Sequence, residues 1–110
     1  MAGVIQVMTT VDDPGTAQTI AAALIRQRLA ACVQILGPIT STYWWQEEIE
    51  TAEEWLCLVK TTGEHYDDVE LLIKQLHPYD VPEVLAIPVV AGSEDYLIWL
   101  RAQLVQQGPI

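Results

Sequence analysis

Apolar residues in this 110-residue chain are spaced in two ways, and each spacing indicates one type of secondary structure. Runs rich in Val, Ile, Thr and aromatic residues predict strands, whereas apolar residues three or four positions apart predict helices. The predicted strands span Val4–Val11, 32–45 with an interruption at Gly37 and Pro38, about 53–62 and 83–90. The predicted helices span about 15–29, 64–77 and 94–106.

The elements therefore follow the order β-α-β-β-α-β-α. The first six match a ferredoxin-like α+β fold, in which two helices cover one face of a four-stranded antiparallel sheet. In the usual strand order of that fold, the last strand lies at a sheet edge. Pro88 suits an edge, because proline cannot donate a hydrogen bond within a central ladder. We predict a single domain of this class over residues 1–110, with a helix added at the C-terminus.

The last predicted strand has almost no polar residue between Val84 and Val90, although a half-exposed strand alternates polar and apolar positions. The third predicted strand contains a similar apolar block at 55–59. Two helices can cover only one face of the sheet. A bare second face would exceed the apolar patch of roughly a few hundred Å² that a monomer usually exposes. Because 51% of the residues are hydrophobic as well, we predict a homo-oligomer that buries this face between subunits.

The chain is strongly acidic, with fifteen acidic and five basic residues and a formal net charge of −10. This charge repels a phosphate backbone, so we expect no nucleic-acid partner. It is compatible with cation binding, although a solvated acidic surface explains it more simply. No apolar run reaches the roughly 18–20 residues of a membrane-spanning helix, and the N-terminus lacks a signal-peptide pattern. We therefore expect a cytoplasmic protein without a membrane partner.

The two cysteines, Cys32 and Cys57, lie in apolar runs and lack the spacing of a zinc-binding pair. We predict that both are reduced, buried thiols, since free cysteine packs as a small apolar residue. The sequence has no G-x-S-x-G elbow and no P-loop, and neither cysteine has a base close to it in sequence. These observations predict that the protein is not an enzyme.

The polar segment between the second helix and the last strand contains the best candidate metal ligands, His77, Asp80 and Glu83. An imidazole beside carboxylates suits copper or zinc. Alternatively, His77 interacts with the helix C-terminus or forms a bond across a subunit boundary. A second polar cluster opens the second helix and is interpreted as solvated surface: His65, Asp67 and Asp68.

A second set of residues has the composition of a small-molecule site: Lys60, Tyr79, Glu83 and Trp44. With the strands paired as predicted, these side chains would meet at a cleft between subunits, with aromatic walls and a few polar groups. In the alternative interpretation Lys60 is solvated and Tyr79 packs at the subunit interface.

Several short motifs occur in a characteristic order along the chain. They are Leu29-Ala30-Ala31-Cys32-Val33, Tyr43-Trp44-Trp45, Lys60-Thr61-Thr62, His77-Pro78-Tyr79 with Val81-Pro82-Glu83, and Pro88-Val89-Val90-Ala91-Gly92 followed by Tyr96-Leu97-x-Trp99-Leu100. Each motif alone is weak, but together they cover nearly the whole chain. In this combination the chain resembles the CutA family of divalent-cation tolerance proteins.

The resemblance implies a cytoplasmic, ferredoxin-like subunit of a compact homotrimer, similar in architecture to the PII signalling proteins. It also implies a link to copper and other divalent cations, with no established reaction. Thr9 stands where some relatives carry a cysteine, so we expect Cu(II) or another divalent cation to bind weakly or indirectly, and no cofactor to be required. Two alternatives remain open: a PII-like sensory trimer that binds a small metabolite or anion between subunits, and a structural or partner-binding trimer without a ligand.

Overall fold

A computed structural model describes residues 3–106 as a four-stranded antiparallel sheet with three α-helices. The strands are β1 (Val4–Val11), β2 (Cys32–Trp45), β3 (Glu48–Thr62) and β4 (Leu85–Pro88), and the helices are α1 (Pro14–Arg26), α2 (Tyr66–Leu76) and α3 (Glu94–Ala102). A single 3-10 turn, Gly63–His65, precedes α2. The strand order is β2-β3-β1-β4, which places β4 and Pro88 at an edge. The predicted α+β, ferredoxin-like class is therefore confirmed.

The largest departure from the predicted boundaries is the hairpin between β2 and β3. It turns on Gln46 and Glu47, which both have positive φ angles, 51° and 67°. Because this turn lacks the Asn or Gly that usually marks such a conformation, the sequence pattern placed the start of β3 five residues too late. Since β1 ends at Val11, opposite Trp55, the hairpin continues beyond it as a two-stranded ribbon. The subunit is accordingly elongated, 47 Å along its longest axis against 28 and 24 Å.

Four other elements, β4 and the three helices, are shorter than predicted, and α2 begins at Tyr66 because residues 63–65 form the 3-10 turn. Strand β4 has four residues instead of eight, because it pairs only with Ile5–Met8 of β1. Helix α1 ends at Arg26, and Arg28 adopts a positive φ of 55° just beyond it. Helix α3 ends at Ala102 rather than at residue 106. These are differences at element ends, and they leave the predicted order of elements intact.

The predicted interruption of β2 is confirmed as a register shift between Leu36 and Ile39. The Gly37–Pro38 peptide bond at this point is cis. A Cβ atom on Gly37 would lie 2.2 Å from Cδ1 of the Trp55 indole, so only glycine fits against this ring. The bulge thus allows Trp55 to pack closely on the neighbouring strand.

The hydrophobic core lies between one face of the sheet and helices α1 and α2. Alternate residues of the strands point to this face, as the period of two in a strand requires. The core consists of residues from β1, β3, α1 and α2 and includes Ile5, Val7, Val11, Cys57, Val59, Ala17, Ile20, Leu24, Val69 and Ile73. Helix α1 begins at Asp13, whose Oδ2 accepts a hydrogen bond of 2.9 Å from the Thr16 amide.

The opposite face of the sheet, here called the open face, has an apolar centre and is only partly covered. Its apolar side chains alternate with the core residues along all four strands: Met8, Leu36, Leu56, Leu58, Leu85 and Ile87. Helix α3 covers one end of it, where Leu100 and Leu104 pack against Val4. The second apolar face that the sequence pattern indicated is therefore present, and the subunit alone leaves much of it exposed.

The two cysteines differ in their surroundings. Both are free thiols, and Cys57 is fully buried in the core, where burial raises its pKa to about 11. Cys32 is only half-buried, so its predicted burial was wrong within one subunit. The reason is its register: Cys32 is paired with Lys60 and points to the open face. Over residues 3–106, no helix combines the length and hydropathy that membrane crossing requires.

Thr9 is a buried residue whose hydroxyl has no hydrogen-bond partner among the described residues. A buried hydroxyl without a partner destabilises a fold, so Thr9→Val should raise the free energy of unfolding by about 1 kcal/mol. The matched control is Thr61, equally buried, whose hydroxyl donates a 2.7 Å hydrogen bond to the carbonyl of Leu29. Thr61→Val should lower the free energy of unfolding by about 1–3 kcal/mol, because it leaves that carbonyl unpaired.

Urea denaturation at one fixed protein concentration measures both changes, since assembly would add a concentration-dependent contribution to stability. Equal destabilisation by the two substitutions would show that the Thr9 hydroxyl has a partner in solution.

Candidate functional site

The segment that links α2 to β4 is fixed to the end of β1 by His77. Nε2 of the buried His77 ring donates a 2.8 Å hydrogen bond to the carbonyl of Thr10. Its Nδ1 accepts a 3.2 Å hydrogen bond from the amide of Tyr79, and the two rings meet edge to face, with centroids 4.6 Å apart. Because a carbonyl can only accept and an amide can only donate, the ring is neutral with its proton on Nε2. Both ring nitrogens are therefore used within the subunit.

Tyr79 continues this connection to the ribbon. Its hydroxyl donates a 2.8 Å hydrogen bond to Oε2 of Glu54, the first residue of β3 beyond the end of β1. Glu54 is 6% exposed, and over residues 3–106 the bond from Tyr79 is the one side-chain interaction of its carboxylate. Burial, followed by the bond to Glu54, raises the pKa of Tyr79 well above its ordinary value. The phenol therefore remains a proton donor to this carboxylate.

Two cavities border this bond, and we call them together the hairpin cleft. The first has a volume of about 390 Å³ and is lined by seven residues of hydroxyl or carboxylate type: Thr10, Ser41, Thr42, Tyr43, Glu54, Tyr79 and Glu83. The second has a volume of about 300 Å³ and is lined by Tyr43, Trp45, Glu50, Pro78, Tyr79, Asp80 and Val81. Tyr43 and Tyr79 belong to both walls. The lining contains four carboxylates and no Lys, Arg or His among the described residues.

The structure brings two of the four predicted small-molecule residues into this cleft, Tyr79 and Glu83. Lys60 lies six residues from Glu54 along β3, a distance of about 20 Å at 3.3 Å per residue, and its ammonium donates to Gln6. Trp44 lies near the tip of the ribbon, opposite Ile49, and is 72% exposed. Within one subunit the predicted set is thus not assembled, because Lys60 and Trp44 lie at opposite ends of the hairpin.

The predicted metal ligands are also separated. Asp80 lines the cavity of about 300 Å³ and Glu83 the cavity of about 390 Å³, while both nitrogens of His77 are bonded elsewhere. Over residues 3–106, no three His, Cys, Asp or Glu side chains are placed to hold one metal ion. The set of His77, Glu83 and Asp80 therefore stays a prediction that this subunit alone does not assemble.

His65 is not the solvated residue that its position at a helix start suggested. It is buried, its Nε2 donates to the carbonyl of Val105 at 2.7 Å, and its Nδ1 accepts from the hydroxyl of Thr62 at 2.6 Å. The chain after α3 folds back over this ring, and no local sequence signal indicates that contact. Asp67 and Asp68 are exposed, as predicted.

The sequence analysis missed most of the cleft lining, since only Tyr79, Asp80 and Glu83 were among its candidate site residues, and the most important omission is Glu54. Glu54 is hidden in a run of five acidic residues between positions 47 and 54, most of which are exposed. What distinguishes it is the end of β1 at Val11, which creates the space that Tyr79 covers. No feature of the sequence alone indicates that strand end as a site.

The bond between Tyr79 and Glu54 should contribute measurably to stability. Tyr79→Phe should lower the free energy of unfolding by about 1–3 kcal/mol, because it leaves a buried carboxylate without its donor. Tyr66 is the control, since its hydroxyl donates a bond of the same length, 2.8 Å, to the more exposed Glu70. Tyr66→Phe should change stability by less than about 0.5 kcal/mol, as for most surface substitutions. If urea denaturation shows the same loss in free energy of unfolding for Tyr79→Phe and Tyr66→Phe, the burial of Glu54 has no energetic consequence.

Comparison with known proteins agrees with this architecture. Residues 5–103 match the family model described as CutA1 divalent ion tolerance protein. The divalent-cation tolerance protein CutA of Thermus thermophilus is 47% identical over 95 residues, covering 86% of this chain and 92% of that protein. The CutA of Yersinia pestis is 42% identical over 101 residues, covering 92% of this chain and 85% of that protein.

Solved structures give the same result. The Cut A1 structure from Thermus thermophilus superposes with a TM-score of 0.90 at 44% identity, covering 93% of this chain and 99% of that one. CutA1 from Oryza sativa superposes with a TM-score of 0.93 at 36% identity, covering 96% of this chain and 97% of that one. Sequence motifs, strand order and three-dimensional similarity agree over nearly the whole described chain, and the chain belongs to the CutA1 divalent ion tolerance family.

Proposed function

We propose that this protein is a cytoplasmic CutA-type homotrimer that contributes to divalent-cation tolerance, copper included, and binds metal weakly or indirectly. The match to the CutA1 family model over residues 5–103 is the observation that carries the proposal. The protein acts in this proposal without an obligate cofactor and without catalysing a reaction.

The open face supports assembly into a trimer. Three of its side chains, Leu36, Leu85 and Ile87, are about half exposed in the subunit. The ribbon adds further apolar surface through Trp44 and Ile49. Burying this area against other copies of the chain would provide the favourable hydrophobic contribution that the single subunit lacks.

Light scattering should give a mass of about 37 kDa, three times the 12.3 kDa of one chain. Leu85→Glu, which puts a charge on the open face, should shift the mass towards one chain because burying an unpaired charge is unfavourable. Leu71→Glu on α2 is the control, since Leu71 is 56% exposed and Leu85 is 55% exposed. A mass of 12.3 kDa for the unaltered protein at micromolar concentration would contradict the trimer.

The role in tolerance can be tested in a bacterial strain from which the native CutA gene has been deleted. Expression of this chain should raise the Cu(II) concentration at which growth stops. The purified protein should bind Cu(II) with modest affinity, and binding through His77 should weaken on acidification because a protonated imidazole cannot ligate a metal. Unchanged growth despite expression of folded protein would contradict the proposed role.

Variants decide whether the predicted ligands take part in copper binding. His77→Ala and Glu83→Ala should each weaken Cu(II) binding several-fold, whereas His65→Ala, outside the predicted set, should leave it unchanged. The comparison of the two histidines is matched, because each is buried and each ring makes two hydrogen bonds. Glu83 is exposed, so its replacement separates loss of a ligand from loss of the fold. Equal Cu(II) affinity in all variants would remove His77 and Glu83 from the site.

A further inference from the structure

We propose that the hairpin cleft binds an organic cation, a linear amine with ammonium groups, and that the Glu54 carboxylate anchors it. This proposal goes beyond the role in metal tolerance; it shares Asp80 and Glu83 with the predicted metal ligands but not its anchor Glu54, and either can fail without the other. Three features of the cleft support it: a buried carboxylate lacking a counter-charge, hydroxyl groups around it, and aromatic walls beside it.

The first feature is the state of Glu54. A carboxylate buried to this degree is unfavourable unless charges or several hydrogen bonds compensate for its lost hydration. Glu54 receives one neutral donor, the Tyr79 hydroxyl at 2.8 Å, and within residues 3–106 no cationic side chain pairs with it. Glu54 also lines the cavity of about 390 Å³. A cation entering this cavity would supply the missing counter-charge.

The second feature is the set of acceptors around Glu54. An ammonium group carries three donors and no acceptor, so it needs several oxygen atoms within reach. Thr10, Ser41 and Glu83 line the same cavity and carry hydroxyl or carboxylate oxygens, whereas the Thr42 hydroxyl lies on the other face of the ribbon, 3.4 Å from that of Thr51. Thr10, Ser41 and Glu83 can each accept a hydrogen bond from an N–H group, which makes the lining complementary to an ammonium ion.

The same lining argues against the other classes of ligand. Four carboxylates without a basic partner would repel a phosphate or another anion. A divalent metal ion is bound by four or more ligands in most protein sites, whereas the described residues place no three suitable side chains together. An ammonium group, which forms single hydrogen bonds to separated oxygens, fits this spacing better.

The third feature is the wall that the two cavities share. Tyr43 and Tyr79 line both, and Trp45 lines the second, so aromatic faces are available for cation–π contact and for packing against methylene groups. Glu50 and Asp80 give the second cavity its own carboxylates. A linear diamine could therefore place one ammonium group in each cavity and its carbon chain along the tyrosines.

Calorimetric titration with 1,4-diaminobutane, at fixed ionic strength and on the assembled protein, tests this. We expect saturable binding that Glu54→Gln weakens about tenfold or more, the loss expected for a charged hydrogen-bonded pair. The control is Glu53→Gln, which makes the same change one residue away on the exposed, opposite face of the strand. It should change the affinity less than about twofold. The uncharged isostere 1,4-butanediol should not bind.

Four results would overturn the proposal. They are no binding of the diamine, equal affinity in wild type and Glu54→Gln, equal losses in the Glu53 and Glu54 variants, and equal binding of the diol. If a Lys or Arg of another subunit pairs with Glu54, the diamine will not bind. In that case Glu54→Gln will also assemble more weakly, because it removes this pair between subunits. If Glu54→Gln does not fold, Glu83→Gln at an exposed position replaces it under the same criteria. Cu(II) titration of the same samples shows independently whether the metal proposal stands.

Discussion

The antiparallel pairing of β1 with β3 decides where every other part of this protein can lie. It runs from Val4 opposite Thr62 to Val11 opposite Trp55 and then stops, although β3 continues to Glu48. One side of β3 is therefore left without a neighbour along the ribbon. The segment after α2 occupies part of that space, and His77 and Tyr79 fix it there by hydrogen bonds. The cleft exists because one strand is shorter than its partner.

The small size of the chain imposes the second constraint. Helices α1 and α2 fill one face of the sheet with a closed core, and only α3 remains for the other face. Its buried contacts there are limited to one end, around Val4, Leu100 and Leu104. The middle of the open face keeps its leucines and isoleucine in contact with water. Association would add stability to such a fold, because hydrophobic burial is the main favourable contribution that a small subunit can still add.

Electrostatics and burial act together in the hairpin cleft. An exposed carboxylate is well solvated and needs no partner, which is the case for most of the fifteen acidic residues. Glu54 differs because the end of β1 and the ring of Tyr79 remove it from water. The Tyr79 hydroxyl, whose pKa is raised by burial and by the bond to Glu54, gives the cleft a donor beside this carboxylate. The cleft therefore favours a cation over an anion. The net charge of the chain alone does not show where on the surface such a preference lies.

The sequence by itself determined the order of the elements, the edge position of the strand with Pro88, the interruption at Gly37 and the apolar second face. These features depend on local periodicity and on residues with special backbone geometry, so they can be recognised without knowing the fold. The motifs likewise identified the family. Tertiary structure alone decided the burial of His65 and Glu54, the half-exposure of Cys32, and the distance that separates Lys60 from Trp44. Each of these depends on where strands end and which distant segments meet, and contacts between residues tens of positions apart leave no periodic signal in the chain.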